Sequence, residues 1–373
     1  MKFICDKQVL LNAIGTVSRA CSAKSPIPAL EGILIEANEA KVKLTGYDLK
    51  KGIYTSVDAD VQKSGSVILG ARIFGDIIRS LPSGDVTISM GEGVNVSISC
   101  GKSEFSIVGT DYADYPELPS VDSSEGVSIP HNILRDMISE TIFAVSTNES
   151  RPVYTGELFE IDEEGNLSII AVDGYRLAIR REKIDGNGER LSFIVPSSAL
   201  YDIEKMSYEE DDGEVKIVLG SKHISFTIGK TVLVTRRLEG EFLNYHKAVP
   251  SEFAINVSVD RSFIQRSVER VSLIIDDKIK NPLRCTFGNG MIHLVCVTSL
   301  GKAEDVCMVD GNGDDVEVGF NNRYLLDALK AAPSEDVKIC INTGAAPCVI
   351  APVEEGNNKF LYMILPVRLK AGE

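Results

Sequence analysis

Hydrophobic positions along the chain recur at two spacings that alternate in a regular order. Stripes with three- and four-residue spacing, typical of amphipathic helices, begin near Lys7, His131 and Asp260. Between them lie runs in which apolar and polar residues alternate, which is typical of half-buried strands. A unit of helix, strands, helix and strands therefore recurs after about 125 residues, so that the chain contains it three times.

Each unit is predicted to contain two helices. The stripes of the first helices are Leu10, Ile14 and Val17; Leu134, Ile138, Ile142 and Val145; and Phe263, Ile264, Val268 and Val271. The second helices are Ala71–Leu81, with Ile73, Phe74, Ile77, Ile78 and Leu81 as its stripe; Pro196–Met206, with Pro196 in its first turn; and Asn321–Ala331, with Leu325, Leu326 and Leu329. An acidic turn and a strand follow each, within Leu81–Met90, Asp211–Gly220 and Ala332–Ile341. The pattern predicts an α+β fold rich in antiparallel hairpins.

The stretch Ile169–Ile179 predicts a hairpin with Asp173 and Gly174 at its bend, because glycine tolerates the positive φ of a tight turn. The bend also carries Tyr175 and Arg176, an aromatic ring and a guanidinium, which are the side chains that most often anchor a partner. An ordinary surface hairpin is the alternative interpretation of this stretch alone.

The composition is that of a globular protein, with 44% hydrophobic and 25% charged residues over 373 positions, and it argues against disorder. No apolar run approaches the roughly 20 residues of a membrane helix, and the opening Met1–Asp6 lacks the features of a signal peptide. We therefore expect a cytoplasmic location.

Cysteine and histidine are distributed in a way that predicts neither a metal site nor a cofactor. The eight cysteines, Cys5, Cys21, Cys100, Cys285, Cys296, Cys307, Cys340 and Cys348, form no Cys-x-x-Cys pair and read as reduced core residues. The four histidines, His131, His223, His246 and His293, are isolated from one another in the sequence. Neither a zinc centre nor a Ser-His-Asp triad has enough members here.

An enzyme is a rival hypothesis, with Asp173 and Arg176, or Glu160 and Asp162, as acid–base pairs. These residues lie in predicted hairpins without a nucleophile, a metal set or a glycine-rich phosphate loop nearby, so the sequence favours a protein without catalytic residues.

The formal net charge of −15 argues against general affinity for nucleic acid. The six predicted helices differ from the rest, because they carry about eleven basic against about nine acidic residues. If they faced one common surface, an acidic protein would present a locally basic lining; ordinary solvated helix faces are the alternative.

Two motifs in register with the three repeats carry a resemblance to a known family. They are Asp-Gly-Tyr-Arg-Leu-Ala at Asp173–Ala178 and Tyr-Met-Ile-Leu-Pro-Val-Arg-Leu at Tyr362–Leu369. Together with the opening Met1–Ile14 and the run Pro26–Ala37, they make the chain similar over essentially its whole length to the bacterial β sliding clamp, the processivity subunit of the replicative DNA polymerase.

The resemblance implies three clamp domains, 1–120, 121–249 and 250–373, and two chains joined head to tail in a ring whose hole is lined by helices. The expected function is non-catalytic: the homodimer encircles duplex DNA without sequence preference and tethers the polymerase. The expected partners are double-stranded DNA, the polymerase catalytic subunit, the clamp loader and repair proteins. An adaptor that binds peptides and never encircles DNA is the second hypothesis.

The resemblance also implies residues for three surfaces. The peptide-binding pocket between domains 2 and 3 would comprise Tyr154, Val172, Gly174, Tyr175, Arg176, Leu177, Leu243, Lys247, Ala248, Pro347, Met363, Leu365, Pro366, Val367 and Arg368. The DNA-facing residues would include Lys24, Arg72, Arg79, Arg135, Asn148 and Arg151. The dimer interface would join Phe105 and Ile107 of one chain to Leu273 and Ile274 of the other. Intradomain core is the alternative position for these last four.

At three pocket positions this sequence departs from the family pattern, with Leu243 where proline is common, Lys247 where arginine is common and Tyr154 where leucine is expected. Because lysine lacks the bidentate fork of arginine, and tyrosine is bulkier than leucine, we expect an altered peptide preference.

Overall fold

The computed structural model describes residues 1–121, 126–185, 188–206, 213–276, 281–312 and 316–369. The predicted acidic turn that begins at Asp211 lies partly outside these ranges. The chain divides into two compact units, the first made of Met1–Leu134 and Tyr201–Arg237, and the second of Arg135–Leu200 and Leu238–Glu373.

Unit 1 contains two complete helices and two antiparallel sheets. Its helices are α1 (Lys7–Val17) and α2 (Ala71–Ser80). Its strands are β1 (Lys2–Asp6), β2 (Gly32–Asn38), β3 (Lys41–Tyr47), β4 (Lys51–Asp58), β5 (Asp60–Lys63), β6 (Gly65–Gly70), β7 (Asp85–Met90), β8 (Asn95–Cys100), β9 (Ser103–Val108), β10 (Val127–Pro130), β15 (Glu214–Leu219), β16 (His223–Ile228) and β17 (Thr231–Arg236). The sheet orders are β5-β1-β7-β8-β9 and β10-β15-β16-β17-β4-β3-β2-β6.

Unit 2 likewise contains two complete helices and two antiparallel sheets, one of nine strands and one of four. Its helices are α5 (Arg261–Ser272) and α6 (Asn322–Ala331). Its strands are β11 (Gly156–Ile161), β12 (Asn166–Val172), β13 (Arg176–Lys183), β14 (Leu191–Pro196), β18 (Ile255–Asp260), β19 (Leu283–Gly288), β20 (Met291–Thr298), β21 (Gly301–Met308), β22 (Asp310–Asn312), β23 (Val316–Phe320), β24 (Asp336–Ile341), β25 (Cys348–Ala351) and β26 (Phe360–Ile364). The sheet orders are β14-β11-β12-β13-β26-β25-β24-β18-β22 and β21-β20-β19-β23.

The helices of the second repeat are α3 (His131–Ser139) and α4 (Ser197–Lys205). The described residues thus contain six α-helices, two for each predicted repeat, and the α+β fold class is confirmed. Each repeat opens with a short strand, β1, β10 or β18, directly before its first helix, which the sequence analysis did not separate from the helix. Where the cap is described, an aspartate ends that strand: Asp6 accepts from the Gln8 and Val9 amides, and Asp260 from the Phe263 amide.

Three details of the helix predictions are wrong. Ile73 and Phe263 are 52% and 47% exposed, so they lie outside the buried stripes of α2 and α5. Pro196 ends strand β14, where it pairs with Gly156, and α4 begins one residue later. Ile142 lies beyond α3, in a 3-10 turn at Ile142–Ala144. Helical spacing alone does not reveal a strand that passes directly into a helix or a helix that stops early.

In the large sheet of each unit, one strand pair joins strands that come from two different repeats. In unit 1, β4 pairs with β17, with Gly52 opposite Val234; in unit 2, β13 pairs with β26, with Leu177 opposite Met363. We call these pairs the first and the second junction. Their residues are far apart in the sequence, so turn chemistry cannot predict the pairing.

The two junctions begin with the same turn. In the first, the Asp48 carboxylate accepts from the Lys50 and Lys51 amides at 2.8 and 2.7 Å, and Leu49 has a φ of 70°. The Lys51 ammonium contacts the carboxylate of Asp202, the sixth residue of α4. Asp202 is mostly buried, so the ion pair ties the turn to the helix.

At each junction a loop residue packs on a strand residue, and the sizes of these two side chains differ between the junctions. At the first junction, the Leu118 Cδ2 atom would lie only 2.6 Å from a Cβ atom placed on Gly52. At the second, Leu177 takes the place of Gly52, and Ala248 takes the place of Leu118, three residues after a buried tyrosine in each segment. The first junction thus combines a small strand residue, Gly52, with a large covering residue, Leu118. The second combines a large strand residue, Leu177, with a small covering residue, Ala248.

The cysteines are core residues, as predicted, for all eight are free thiols and seven are buried. Burial raises the pKa of the Cys5 thiol to about 11 and that of the half-buried Cys21 thiol to about 12.

No group of three His, Cys, Asp or Glu side chains in the described ranges is arranged to hold a metal ion. Likewise, none of the helices in the described part of the chain is long and apolar enough to cross a membrane.

Candidate functional site

The predicted hairpin of unit 2 forms with its bend at Asp173 and Gly174. Val172 pairs with Leu177 across the antiparallel strands β12 and β13, and Gly174 has a φ of 93°. The Asp173 carboxylate accepts from the backbone amides of Tyr175 and Arg176 at 2.9 and 3.1 Å. This is the turn that Asp48 makes at the first junction, so the aspartate fixes the chain reversal in both.

Arg176 is held from several sides. Its Nε donates to Asp173 at 3.0 Å and its Nη1 to the Asp327 carboxylate at 2.6 Å. Its guanidinium carbon lies 4.4 Å from the centre of the Tyr324 ring and 5.4 Å from that of Phe143. Because Asp327 is the sixth residue of α6, this ion pair corresponds to the Lys51–Asp202 pair of unit 1. Arg176 therefore fixes the hairpin to the helix, and its fork is already occupied by protein carboxylates.

The carboxyl-terminal segment lies against the hairpin bend. Strand β26 pairs with β13, and beyond its end the Leu365 amide donates to the Tyr175 carbonyl at 2.8 Å. Two residues later the Val367 amide donates to the Gly319 carbonyl, also at 2.8 Å. Tyr175 stacks on Tyr324, with ring centres 6.2 Å apart. The two sequence motifs that carried the resemblance are thus joined by hydrogen bonds in the folded chain.

A second apolar layer covers the sheet beside this segment. Tyr245 is buried and its hydroxyl donates to the Glu160 carboxylate at 2.6 Å. The ring of Tyr154 meets that of Phe242 edge to face at 5.4 Å, and Ala248 packs against the same cluster. Tyr154 and Ala248 were predicted from the resemblance, whereas Phe242 was missed, since no short motif marks it.

The predicted pocket residues divide into a buried floor and an exposed rim. Leu177, Val172 and Met363 are 0%, 5% and 6% exposed, so they form the floor. These three side chains support the surface from beneath. Side chains that are exposed or half-buried form the rim: Tyr154, Tyr175, Leu243, Lys247, Ala248, Pro347, Leu365, Pro366, Val367 and Arg368. Leu365 and Val367 are among the large apolar side chains that the chain exposes.

Exposed leucine and valine side chains beside half-buried aromatic and proline residues can bind apolar side chains of a short peptide. Lys247 and Arg368, both exposed, place positive charge at the same surface. The geometry favours recognition through a few apolar anchors rather than a reaction.

The φ of Gly174 provides a test of the hairpin geometry. Replacing Gly174 by alanine is expected to lower the free energy of unfolding by about 1 kcal/mol, because alanine at this positive φ is strained although no atom lies within 4 Å of its Cβ position. The matched control is Gly15→Ala in helix α1, which also has nothing within 4 Å and should stabilise by about 0.5–1 kcal/mol. Urea denaturation measures both; equal effects would contradict the role of the turn.

Unit 1 contains a groove with an excess of basic side chains. It has a volume of about 930 Å³ and lies along α1 and α2, lined by Arg72 and Arg79, which were predicted to face DNA, and by Arg19 and Lys205, which were not singled out. Acidic side chains offset only part of this charge, since the four cationic side chains are accompanied only by Glu31 and by Asp76, which contacts Arg79 at 2.7 Å. The groove can accept phosphate groups.

The other predicted DNA-facing residues are exposed but do not line this groove. Lys24 is exposed in unit 1, and Arg135, Asn148 and Arg151 are exposed in unit 2. Arg135 contacts Asp136 at 3.1 Å, and the Asn148 side chain accepts from the Ser150 amide at 3.0 Å. They stay predictions as DNA contacts.

Two sheet edges carry exposed apolar residues. Strand β9 ends the five-stranded sheet of unit 1 and contains Phe105 and Ile107, of which Phe105 is exposed. Strand β21 ends the four-stranded sheet of unit 2 and exposes Val306 and Met308, which the sequence analysis did not single out. An apolar edge strand is suited to pairing with another chain.

Leu273 and Ile274 follow directly after α5 and differ in burial. Leu273 is 84% exposed, whereas Ile274 is half-buried and packs against the core of unit 2. The alternative position in a domain core is therefore wrong for Leu273 and Phe105.

Relatives with established names resemble this chain over nearly its full length. A beta sliding clamp of Synechocystis sp. is 32% identical over 394 residues, covering 99% of this chain and 100% of the relative, and one of Staphylococcus aureus is 31% identical, covering 99% of each. The crystal structure of the DNA polymerase sliding clamp from Bacillus subtilis superposes with a TM-score of 0.94 at 26% identity and covers 99% of this chain and 100% of its own.

Family models cover the chain in three consecutive parts. They describe the N-terminal, central and C-terminal domains of the DNA polymerase III beta subunit and match residues 1–119, 128–244 and 246–368. The three repeats inferred from the hydrophobic pattern are therefore three tandem clamp domains, and the resemblance is confirmed. The chain belongs to the DNA polymerase III beta subunit family, the bacterial sliding clamps.

Proposed function

We propose that this protein is a homodimeric sliding clamp that encircles duplex DNA and tethers the replicative polymerase, which makes synthesis processive. The observation that carries the proposal is the match of all three clamp domains along one chain, supported by relatives that are named beta sliding clamps. The protein acts without catalysis, as a processivity factor of DNA polymerase III. Its domains extend over 1–120, 121–249 and 250–373.

The ring forms from two chains joined head to tail. The exposed apolar residues of edge strand β9 on one chain and of β21 and Leu273 on the other supply the two sides of the interface. Pairing these edges would also satisfy backbone groups that otherwise face solvent.

DNA passes through the ring and contacts helix residues only weakly. The basic groove with Arg19, Arg72, Arg79 and Lys205 supports phosphate contacts that carry no sequence information. The net charge of −15 over the whole chain disfavours binding elsewhere on its surface.

Replication and repair proteins bind through short peptides at the rim around Leu365 and Val367. This surface is shared by competing partners: the polymerase catalytic subunit, the clamp loader and repair proteins. The protein is cytoplasmic, and the clamp associates with the nucleoid when it is loaded on DNA. The exposed apolar rim over the buried floor of Leu177 and Met363 supports this part of the proposal.

The proposal is tested by topology. After a clamp loader has closed the ring on nicked circular DNA, labelled protein should co-elute with the circle in high salt, because escape needs ring opening rather than the breaking of phosphate contacts. A single restriction cut should release it. Equal retention on circular and linear DNA, or loss from the intact circle in high salt, would favour the adaptor hypothesis.

A further inference from the structure

The sheet face that carries the peptide-binding rim continues into a polar groove. Along β13, Leu177 and Ile179 contribute to one apolar cluster while Ala178 contributes to another, so these residues alternate between the two faces of the sheet. Arg181 follows on the face of Leu177 and Ile179. Tyr245 packs against the same cluster and also lines the groove. The rim and the groove are therefore two parts of one face of unit 2.

The groove has a volume of about 760 Å³ and is lined almost entirely by polar side chains. Its cationic members are Arg181, Lys183, Arg190 and Lys359, with His246 at one side, where its ring lies 4.1 Å from that of Tyr245. These four cations are accompanied by three carboxylates, so the groove carries a small net positive charge in a chain whose net charge is −15.

Each acidic side chain in the groove already has a donor from the protein itself. Glu160 accepts from the Tyr245 hydroxyl at 2.6 Å. Asp162 accepts from the backbone and the side-chain amide of Asn166, both at 2.7 Å. Glu182 accepts from Arg180 at 2.6 Å and lies 3.5 Å from the Lys359 ammonium. The acids are thus largely satisfied without Arg181.

Arg181 lacks such a partner. It is half-buried, its Nη1 donates to the Asn358 carbonyl at 3.0 Å, and no carboxylate in the described residues lies within 4.0 Å of its guanidinium. The neighbouring Arg180 contrasts with it, because Arg180 contacts both Glu140 and Glu182. Burial lowers the pKa of Arg181, although a guanidinium stays charged. A partly desolvated guanidinium with free donors favours a bidentate anion.

We propose that this groove is an anion-binding subsite in which Arg181 binds the carboxylate of an acidic segment that flanks the peptide motif of a clamp-binding protein. The inference rests on the proposed peptide-binding function and deepens it, because it names a second contact on the same sheet face. Arg181 lies four positions after Leu177, which corresponds to a distance of about 13 Å along a strand. An extended chain of about four to six residues outside the motif spans this distance.

The test compares two peptides that share a Gln-x-x-Leu-Phe-like motif and a flexible six-residue spacer, one ending in three glutamates and the other in three glutamines. Both are made with the extension before and after the motif. The acidic peptide should bind about fivefold to thirtyfold more tightly than the neutral one at low salt, in one of the two orientations. Arg181→Gln should abolish that difference and leave the affinity for the neutral peptide unchanged.

Two further variants separate charge from geometry. Arg266→Gln removes the same charge from helix α5, whose buried side chains belong to the cluster on the opposite side of the sheet from Arg181, and should preserve the preference for the acidic peptide. Arg181→Lys keeps the charge but loses the fork, so it should retain only part of the preference. Thermal denaturation of every variant checks that the fold is kept. A preference that survives Arg181→Gln, or that Arg266→Gln removes equally, would overturn the proposal.

A direct measurement tests the subsite without requiring that a peptide bind at the rim. The Nε–H resonance of Arg181 in ¹⁵N-labelled protein, assigned by its loss in Arg181→Gln, is followed while an acidic peptide without the motif is added, and separately while inorganic phosphate is added. A shift with the acidic peptide supports the subsite even if the motif peptides fail to bind, in which case only the proposed rim is wrong. A shift with phosphate alone, or with neither, would overturn the assignment of an acidic segment.

Discussion

Replacing Leu273 by aspartate is expected to give folded monomers at protein concentrations where we expect the unchanged chain to form the proposed dimer. Leu273 is 84% exposed in the single chain, so the change should cost little within the unit. At an apolar interface, by contrast, an unpaired carboxylate would lose its hydration, which costs several kcal/mol. Light scattering across a dilution series measures the mass, and circular dichroism checks the fold.

A matched control for this change is Leu49→Asp. Leu49 is also an exposed leucine, but it lies in the turn of the first junction rather than at an expected interface. It should leave the dimer intact. Including Ile274 in the change would confuse the result, because Ile274 packs against the core of its own unit. A full dimer mass for Leu273→Asp in dilute solution would exclude this surface as the interface.

Replacing Leu365 and Val367 together by aspartate is expected to weaken binding of a Gln-x-x-Leu-Phe-like peptide by at least about 100-fold. Both side chains are exposed at the rim, so two carboxylates would replace the apolar surface that the peptide anchors need. The backbone hydrogen bonds of both residues do not depend on their side chains and should persist. Isothermal titration calorimetry measures the affinity.

These two substitutions test the rim more specifically than a truncation that removes Met363–Glu373. Met363 and Ile364 are buried in β26, which lies between β13 and β25, so the truncation would damage the sheet as well as the rim. Val9→Asp, at an exposed valine on α1 in unit 1, serves as the control and should bind the peptide normally. Unchanged affinity of the doubly substituted protein would move the peptide site away from the carboxyl-terminal segment.

Local chemistry made much of the fold predictable from the sequence. The Asp173-Gly174 bend and the stripe of Leu10, Ile14 and Val17 depend on neighbours within a few residues, and both formed as expected. Exposed apolar residues such as Ile73 and Phe263 defeated the same reasoning, because spacing alone cannot show which members of a stripe reach the core.

The candidate site was less predictable, because it depends on contacts that are distant in the sequence. Nothing near Arg176 indicates that its guanidinium contacts Asp327, which comes from the sixth position of a helix in another repeat. Nor does the sequence show that Leu177 is completely buried, since that depends on the layer added by the Phe242–Ala248 segment. The resemblance supplied the candidate members of the pocket, and the packing separated the buried ones from the exposed ones.

The exchange of Gly52 and Leu118 at one junction for Leu177 and Ala248 at the other has a steric consequence for ligand binding. At the first junction the chain covers the strand with its own Leu118, which occupies this position permanently because it belongs to the same chain. At the second junction the covering residue is only alanine, although the turn, the ion pair and the strand pairing correspond to those of the first. In steric terms, a partner's leucine anchor would substitute in trans for Leu118. Duplication of one structural element would thereby have given the chain two junctions, one covered by its own side chain and one covered by the side chain of a bound partner.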